Sequence, residues 1–429
     1  MIENNNLQNL KIIEGLYGKD SGLLLERISA LKRFEVLGLP KKNDNLWHYT
    51  NLNHLKINEF IKDFNNKQNN QKPSIQDSKS LENFYNIHIK NGEIIAQDQI
   101  ANLEVLSLAE IFATKNNNTK YQEYILDILK QNNEFNNNSL NSLNTAFNNF
   151  ALVMFVKAEF INDKPLFISY DNSNIANQTQ IFICMEENST ATIFESFTSN
   201  NENIYSQFVS RINLKTNAKL IHYNLQNQQL ESNYIHNKDI NLSAKSSYRL
   251  FLLNSGSLLS RNEIYYNLNA KEAKADFSAI NLGKLKQHHD IYIKSAHNSA
   301  HTNSQQSLKQ ILTDDARGIF YGNITIAKDC PKSEAHQLSK TMLLSDKSWS
   351  LSRPELDILT DDVICSHGST TGNINKDAIY YLMSRGIDKK TAISYLISAF
   401  IDELVGNISD QNIHHLIVEN INSWRKLWQ

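Results

Sequence analysis

The chain has 429 residues, long enough for two or three domains and a sizeable core. Its 43 Lys and Arg against 45 Asp and Glu give a net charge of -2, without the global basic excess on which nonspecific binding to nucleic acid or an anionic membrane rests. Three cysteines, Cys184, Cys330 and Cys365, lie far apart with no CxxC spacing, which argues against a disulfide framework and a self-contained zinc site and fits a reducing compartment.

The opening MIENNNLQNLKIIEG lacks the basic and apolar regions of a secretory signal, and no apolar run approaches the roughly 18 residues of a spanning helix. A cytoplasmic protein is expected, without nucleic-acid or membrane partners. From Leu7 to Phe34 apolar residues recur at helical spacing, broken near Gly18 to Gly22, which predicts two helices; Gly38-Leu39-Pro40 stops the second. Gly15 to Ser21 glances at a phosphate-binding loop, but its spacing is wrong and no strand precedes it. Trp47-His48-Tyr49-Thr50-Asn51-Leu52 is a compact aromatic segment expected to pack against another surface. Asn65 to Asp77 reads as a loose linker, and Asn83 to Ala96 as a hairpin turning at Asn91-Gly92. With helices over Leu106 to Phe112 and Tyr121 to Leu129, residues 1–148 form a mainly helical domain with a short hairpin.

From about Ala151 the period changes to two. Strand-like runs cover Ala151 to Glu159, Leu166 to Tyr170, Gln180 to Met185, Ala191 to Phe197, Tyr205 to Leu214, Lys219 to Leu225, Ser247 to Leu253, Glu263 to Leu268, Lys274 to Leu282, Asp290 to Lys294 and Gly318 to Ala327. Small-residue turns recur at Ala191, Ala218, Ala244 and Ala270, in steps of 27, 26 and 26 residues. A fixed step of that size is what a β-solenoid gives, each coil stacking on the last. A sandwich or jelly roll also shows many short strands and stays open on periodicity alone. This β core is expected over 149–360.

The stretch Asp361 to Gly386 carries a Cys-x-His: if it is extended, Cys365 and His367 project from one face, suited to a shared partner or metal. A buried thiol beside a hydrogen-bonded imidazole is the bland alternative. Asn375 can cap a helix over Lys376 to Arg385, with Ala378, Ile379, Leu382 and Met383 inward and Gly386 at its C′ position; Asp388 can cap a second helix and Ile413 to Trp428 forms a third. A helical domain over 361–429 closes the chain. His288, His289, Asp290, His297 and His301 form another histidine cluster, but a strand does not bring His297 and His301 together as a helix would, and Cys184 and Cys330 read as core thiols.

Several segments together resemble the SufB/SufD family of scaffold subunits in the SUF iron-sulfur cluster assembly machinery. They are His297 with Ser304-Gln305-Gln306; Phe320-Tyr321-Gly322-Asn323-Ile324; Met342 to Ser345; Pro354-Glu355-Leu356-Asp357-Ile358; Asp361-Asp362-Val363 with Cys365-Ser366-His367-Gly368; and Tyr380 to Ile387. Gly38-Leu39-Pro40 and the Trp47 to Leu52 segment also resemble it. Gly368, where the SufB branch carries Glu, is similar to the SufD branch. Ser369 in place of Ala, Asn45-Leu46 in place of an acidic residue, and a missing Gly after Leu143-Asn144 depart from the pattern locally.

The resemblance implies a mainly β fold, a right-handed parallel β-helix flanked by helical N- and C-terminal domains. It implies a non-catalytic scaffold that pairs with a SufB-like paralogue through its last strands and docks a SufC-like ABC ATPase on its C-terminal helices, around Tyr380, Arg385, Gly386 and Phe400. His367, with Cys365 beside it, would face the paralogue where a transient Fe-S cluster forms. No tightly bound cofactor is expected in the isolated chain. Reduced FAD in the complex and a homodimer of the chain alone stay open. Parallel β-helices also host polysaccharide lyases and hydrolases, the competing class, or serve as bare structural solenoids.

Overall fold

Alternating apolar residues drive the chain into strands whose inward faces close on one another, and the structure, a computed structural model, describes residues 13, 22–52, 55, 81–113, 119–148, 150–172 and 176–428. The first predicted helix apart from Ile13, the Gly15 to Ser21 segment and the Asn65 to Asp77 linker lie outside the described residues.

The described chain opens with α1 (Gly22–Leu37) and a 3₁₀ turn (Asn45–Trp47). β1 (Tyr85–Lys90) and β2 (Glu93–Gln97) form the expected hairpin, with Asn91 and Gly92 both at positive φ. β3 (Leu103–Ser107) runs directly into α2 (Leu108–Phe112), because Ser107 and Glu110 cap each other's backbone; the helix predicted from Leu106 therefore starts later. α3 (Thr119–Lys130) and α4 (Ser139–Phe147) follow. The winding core consists of β4 (Phe150–Val156), β5 (Leu166–Asn172), β6 (Ala176–Met185), β7 (Thr190–Ser199), β8 (Tyr205–Leu214), β9 (Lys219–Gln226), β10 (Asn233–Leu242), β11 (Ser247–Asn254), β12 (Leu259–Leu268), β13 (Lys274–Gly283), β14 (His288–His297), β15 (Asn303–Leu312), β16 (Arg317–Ile326), β17 (Ser333–Leu343), β18 (Trp349–Ile358) and β19 (Val363–Asn373). The chain ends in α5 (Lys376–Ser384), α6 (Lys389–Val405) and α7 (Gln411–Trp428). None of the described helices is long and apolar enough to cross a membrane.

From β4 onward each strand pairs in parallel with the strand two ahead, so odd strands build one sheet and even strands the other. The result is a parallel β-solenoid of about 8 turns, which removes the sandwich alternative. At the first end β1 extends the odd sheet, and the antiparallel strands β2 and β3 close both sheets. At the last end β18 and β19 are simply the final strands. The strand ladder thus runs to Asn373, and the boundary expected at 360/361 moves beyond it; Cys365 and His367 belong to the last rung of the solenoid.

Each odd strand from β7 to β17 follows a turn in which a residue at φ 57–63° (Asn188, Asn217, Lys245, Glu272, His301, Lys332) precedes a small buried one (Ser189, Ala218, Ser246, Ala273, Thr302, Ser333). The register makes these positions equivalent at steps of 27 to 31 residues. The repeat seen in the sequence is real, but its phase slips: Ala191, Ala244 and Ala270 sit two or three residues from the equivalent positions, since Ser and Thr fill the same small site.

α1, α4 and the Trp47 segment pack on the outer face of the even sheet, through residues such as Ala30, Leu31, Trp47, Leu143 and Phe147 against Tyr205, Ile235 and Leu259. Arg261 holds the Trp47 segment in place. Its guanidinium lies 3.8 Å over the Trp47 ring and donates to the Leu46 carbonyl at 2.8 Å, to Glu263 at 2.8 Å and to Asp290, which also accepts from the Thr50 hydroxyl. α6 and α7 cover the odd sheet: Ile397, Ile401, Leu404, Ile417 and Trp424 pack on Tyr223, Phe251, Ile280 and Ile311.

The solenoid interior is apolar at its centre, but it also holds a charged network. Glu195 on β7 accepts from Tyr170 at 3.0 Å and Asn224 at 3.0 Å and meets His222 at 2.9 Å; His236 on β10 meets Ser210 at 2.8 Å, Tyr234 at 2.8 Å and Lys238 at 2.7 Å. The network explains why β10 was not predicted as a strand. Its inner face carries His236 and Lys238, while on its outer face Asn237 donates to Asn141 of α4 at 2.7 Å, so buried polar groups replace the usual alternation.

Candidate functional site

β19 follows β17 in parallel register, which sets the direction of every side chain in it. Val363, Cys365, His367, Ser369 and Thr371 stack above Ser333, Ala335, Gln337, Ser339 and Thr341, all of them buried. They therefore point into the solenoid at its unclosed end. Ile364, Ser366 and Gly368 lie on the outer face over Glu334, His336 and Leu338, where the Ser366 hydroxyl and His336 Nδ1 are 2.8 Å apart. A Cβ at Gly368 would stand 3.2 Å from Leu338 Cδ1, so the glycine keeps that face close-packed. The extended geometry anticipated for Cys-x-His is the one observed.

The two side chains occupy different surroundings. Cys365 is half-buried beside Leu356 and Val363, on a cluster made by Ile324, Ile326, Cys330 and Ala335. Burial pushes its thiol up, partly offset by a hydrogen bond from the Ala335 backbone, so the neutral thiol is favoured there. His367 is exposed at the rim, above the buried amide of Gln337. Across the opening stands β18, whose Ser352, Pro354 and Leu356 lie above Phe320, Gly322 and Ile324. Around this rim Ile364 is 60% exposed, Leu359 55% and Trp349 42%, and Tyr49 of the N-terminal segment sits 6.2 Å from Trp349 between ring centres. Large exposed apolar groups on unpaired sheet edges are the mark of an unfinished surface.

Among the described residues no group of three or more His, Cys, Asp or Glu side chains is arranged to hold a metal ion. The β14 histidines are dispersed. His289 and His297 point inward and are fully buried; both are pushed down to about 4 by burial. His297 uses both ring nitrogens, on Thr302 at 2.7 Å and Ser304 at 2.8 Å. His288 and Asp290 face outward to Thr50, and His301 occupies a turn. Cys184 and Cys330 are buried, unpaired thiols.

On the C-terminal helices, Asn375 and Asp388 cap α5 and α6 as the sequence predicts, and Gly386 has a φ of 86°. Ile379 is buried, but Met383, expected inward, is exposed, because only one edge of α5 meets α6. Tyr380 and Tyr381 are 66% and 60% exposed, with the Arg385 guanidinium 5.3 Å from the Tyr381 ring, and Tyr395 of α6 is also exposed. Phe400 is not part of that surface: it is half-buried against the solenoid, with the Lys309 ammonium 5.5 Å from its ring. The sequence pattern marks Gln306 only as part of the family resemblance and does not mark Arg261 or Gln337, because a residue's partners on neighbouring coils lie about 30 positions away.

The sequence profile described as SUF system FeS cluster assembly, SufBD core domain, matches residues 167–400, more than half the chain. The chain belongs to the SufBD family. Its relatives include proteins named SufD. An iron-sulfur cluster assembly SufBD family protein of Synechocystis sp. is 28% identical over 409 residues, covering 91% of this chain and 88% of that protein. SufD of Escherichia coli is 27% identical over 267 residues, 60% of this chain and 63% of that protein. SufD of Bacillus subtilis is 22% identical over 407 residues, 92% of each. The SufBD match begins in β5 and ends in α6, so it spans the rung that carries Cys365 and His367.

Proposed function

We propose that this SufBD-family chain is a non-catalytic scaffold that joins a second, SufB-like solenoid at its open end and presents His367 to an Fe-S cluster forming between them. The observation that carries the reading is the last rung: an imidazole and a thiol on the inner face of an edge strand, ringed by exposed Trp349, Leu359 and Ile364. A cluster needs soft thiolate or imidazole ligands, and this rung supplies too few to hold one alone. The cluster is cargo, and the partner must bring the remaining ligands. Cys365, packed among Leu356 and Val363, serves the fold of the rung; His367 is the ligand. The exposed Tyr380, Tyr381 and Arg385 face of α5 is the surface for a SufC-like ATPase.

The competing enzyme reading needs free carboxylates in an open groove. The cleft of about 330 Å³ between the odd sheet and the helical tail does contain Asp276 and Glu403. They lie 3.7 Å from Arg249 and 2.7 Å from Lys309, so their charges are already matched.

The test is co-expression with the SufB-like and SufC-like proteins of the same source, affinity purification and anaerobic absorption spectroscopy, for the wild type and His367→Ala. All three chains should co-purify in both cases, with cluster absorbance lost in the variant. A chain that emerges alone overturns the interface, and an assembled His367→Ala complex with full absorbance overturns the ligand role.

A further inference from the structure

Three residues stack on the inner face of the odd sheet in successive coils: Gln306 on β15, Gln337 on β17 and His367 on β19. Parallel strands lie about 4.8 Å apart, so in-register side chains on one face are within hydrogen-bonding reach of one another, as in amide ladders. Gln306 and Gln337 are fully buried, at 0% and 3% exposed. The Gln306 Nε2 donates to Ser295 Oγ at 2.9 Å. Beyond that bond, Gln306 Oε1, Gln337 Nε2 and Gln337 Oε1 have no hydrogen-bond partner among the described residues. Buried amides are seldom left so. The opposite wall has been cleared for them: a Cβ on Gly322 would stand 1.7 Å from Gln337 Nε2 and 2.8 Å from Gln306 Oε1.

These three unpaired atoms are the ones needed to link Ser295 to His367. We propose that Gln337 is the positioning residue for His367: its Nε2 donates to Gln306 Oε1, and its Oε1 accepts the ring N–H of His367. Small side-chain rotations complete the chain. With Gln306 oriented as it stands, its Nε2 toward Ser295 Oγ, the polarity of the chain runs one way, and the imidazole is held as the tautomer whose other nitrogen carries its lone pair toward the open end. Ring nitrogens that bind metals are oriented in this manner by a partner on the other nitrogen. The inference deepens the reading of His367 as a cluster ligand and rests on it for its consequence, while the hydrogen bond itself stands apart from it.

The experiment is a long-range ¹H–¹⁵N correlation spectrum of the full chain, ¹⁵N-labelled at histidine, at a pH where the ring is neutral, with His367→Ala to assign the signal. Wild type should show one dominant tautomer. Gln337→Met, which keeps the side chain's length and removes the orphaned atoms, should shift the tautomer ratio by about tenfold, the size of one net hydrogen bond. Gln337→Glu, which retains an acceptor oxygen, should restore it; a purely structural Gln337 would change the melting temperature and leave the ratio alone. A wild-type ring with the unbiased ratio of free imidazole overturns the proposal, as does a ratio unchanged in Gln337→Met. If the ratio shifts but cluster absorbance in the co-purified Gln337→Met complex is undiminished, the positioning role stands and the ligand reading of His367 fails.

Discussion

Lys238 should make this fold more stable in alkali than at neutrality. It lies inside the solenoid on β10, fully buried, with Nζ 2.7 Å from His236 Nδ1 and Glu195, His222, Tyr170, Tyr234 and Tyr248 around the same network. Burial pushes its ammonium from 10.5 down to about 7, with Glu195 opposing the fall. Between those two values the unfolded chain holds a proton that the folded chain does not, so stability rises with pH across the window; below about pH 7 the full penalty is present. At about 1.4 kcal/mol per pH unit the fall caps the effect at about 5 kcal/mol. The buried tyrosines, Tyr170, Tyr205, Tyr234, Tyr248 and Tyr266, are pushed up by burial and act in the opposite sense in strong alkali. They are common to wild type and variant, and the difference between the two cancels them. Urea unfolding of wild type and Lys238→Met through this pH range should therefore show the variant more stable near neutrality and the gap closing toward about pH 10.5. A gap that is flat with pH would refute the reasoning.

Arg261→Met should leave Glu263 and Asp290 buried without their cation, lowering stability by about 3–5 kcal/mol and freeing the Trp47 segment to limited proteolysis; a loss below about 1 kcal/mol would mean the carboxylates are not charged there. Gly322→Ala drives a Cβ against Gln337 and should cost about 1–3 kcal/mol in thermal unfolding. Adding Gln337→Ala should recover most of that loss, and simple additivity of the two would show that they do not share the space. Asn375→Ala removes the acceptor of the Ala378 N–H at 3.0 Å and should cost about 1 kcal/mol, seen as faster amide exchange confined to the first turn of α5. Cys365→Ser should leave iron per complex near the wild-type value while lowering stability slightly; loss of iron with the complex intact would make the thiol a ligand.

Much of this could be read from the residues. The strand Tyr205–Leu214 has the bounds that its alternation predicts, and the caps at Asn375 and Asp388 are where the residue types place them. The shared face of Cys365 and His367 follows from the period of an extended chain alone. What stayed hidden is polar or depends on stacking. β10, β15 and β17 carry Asn, Gln, Lys, His and Ser inside the solenoid, where alternation of apolar residues no longer marks a face, and β18 and β19 are poorly buried at the open end. Gln306, Gln337 and His367 are 31 and 30 residues apart, and other coils are shorter, so no fixed count along the chain would have stacked them.

β19 ends at Asn373 and α5 begins at Lys376, with Ile374 and Asn375 between them and Asn375 already spent as the helix cap. The join has no slack. α5 is anchored to its surroundings mainly through Ile379 and shows Tyr380 and Tyr381 to the outside. A join of two residues therefore fixes where α5 leaves the strand that carries His367, and among the described residues no strand pairs with the other edge of β19.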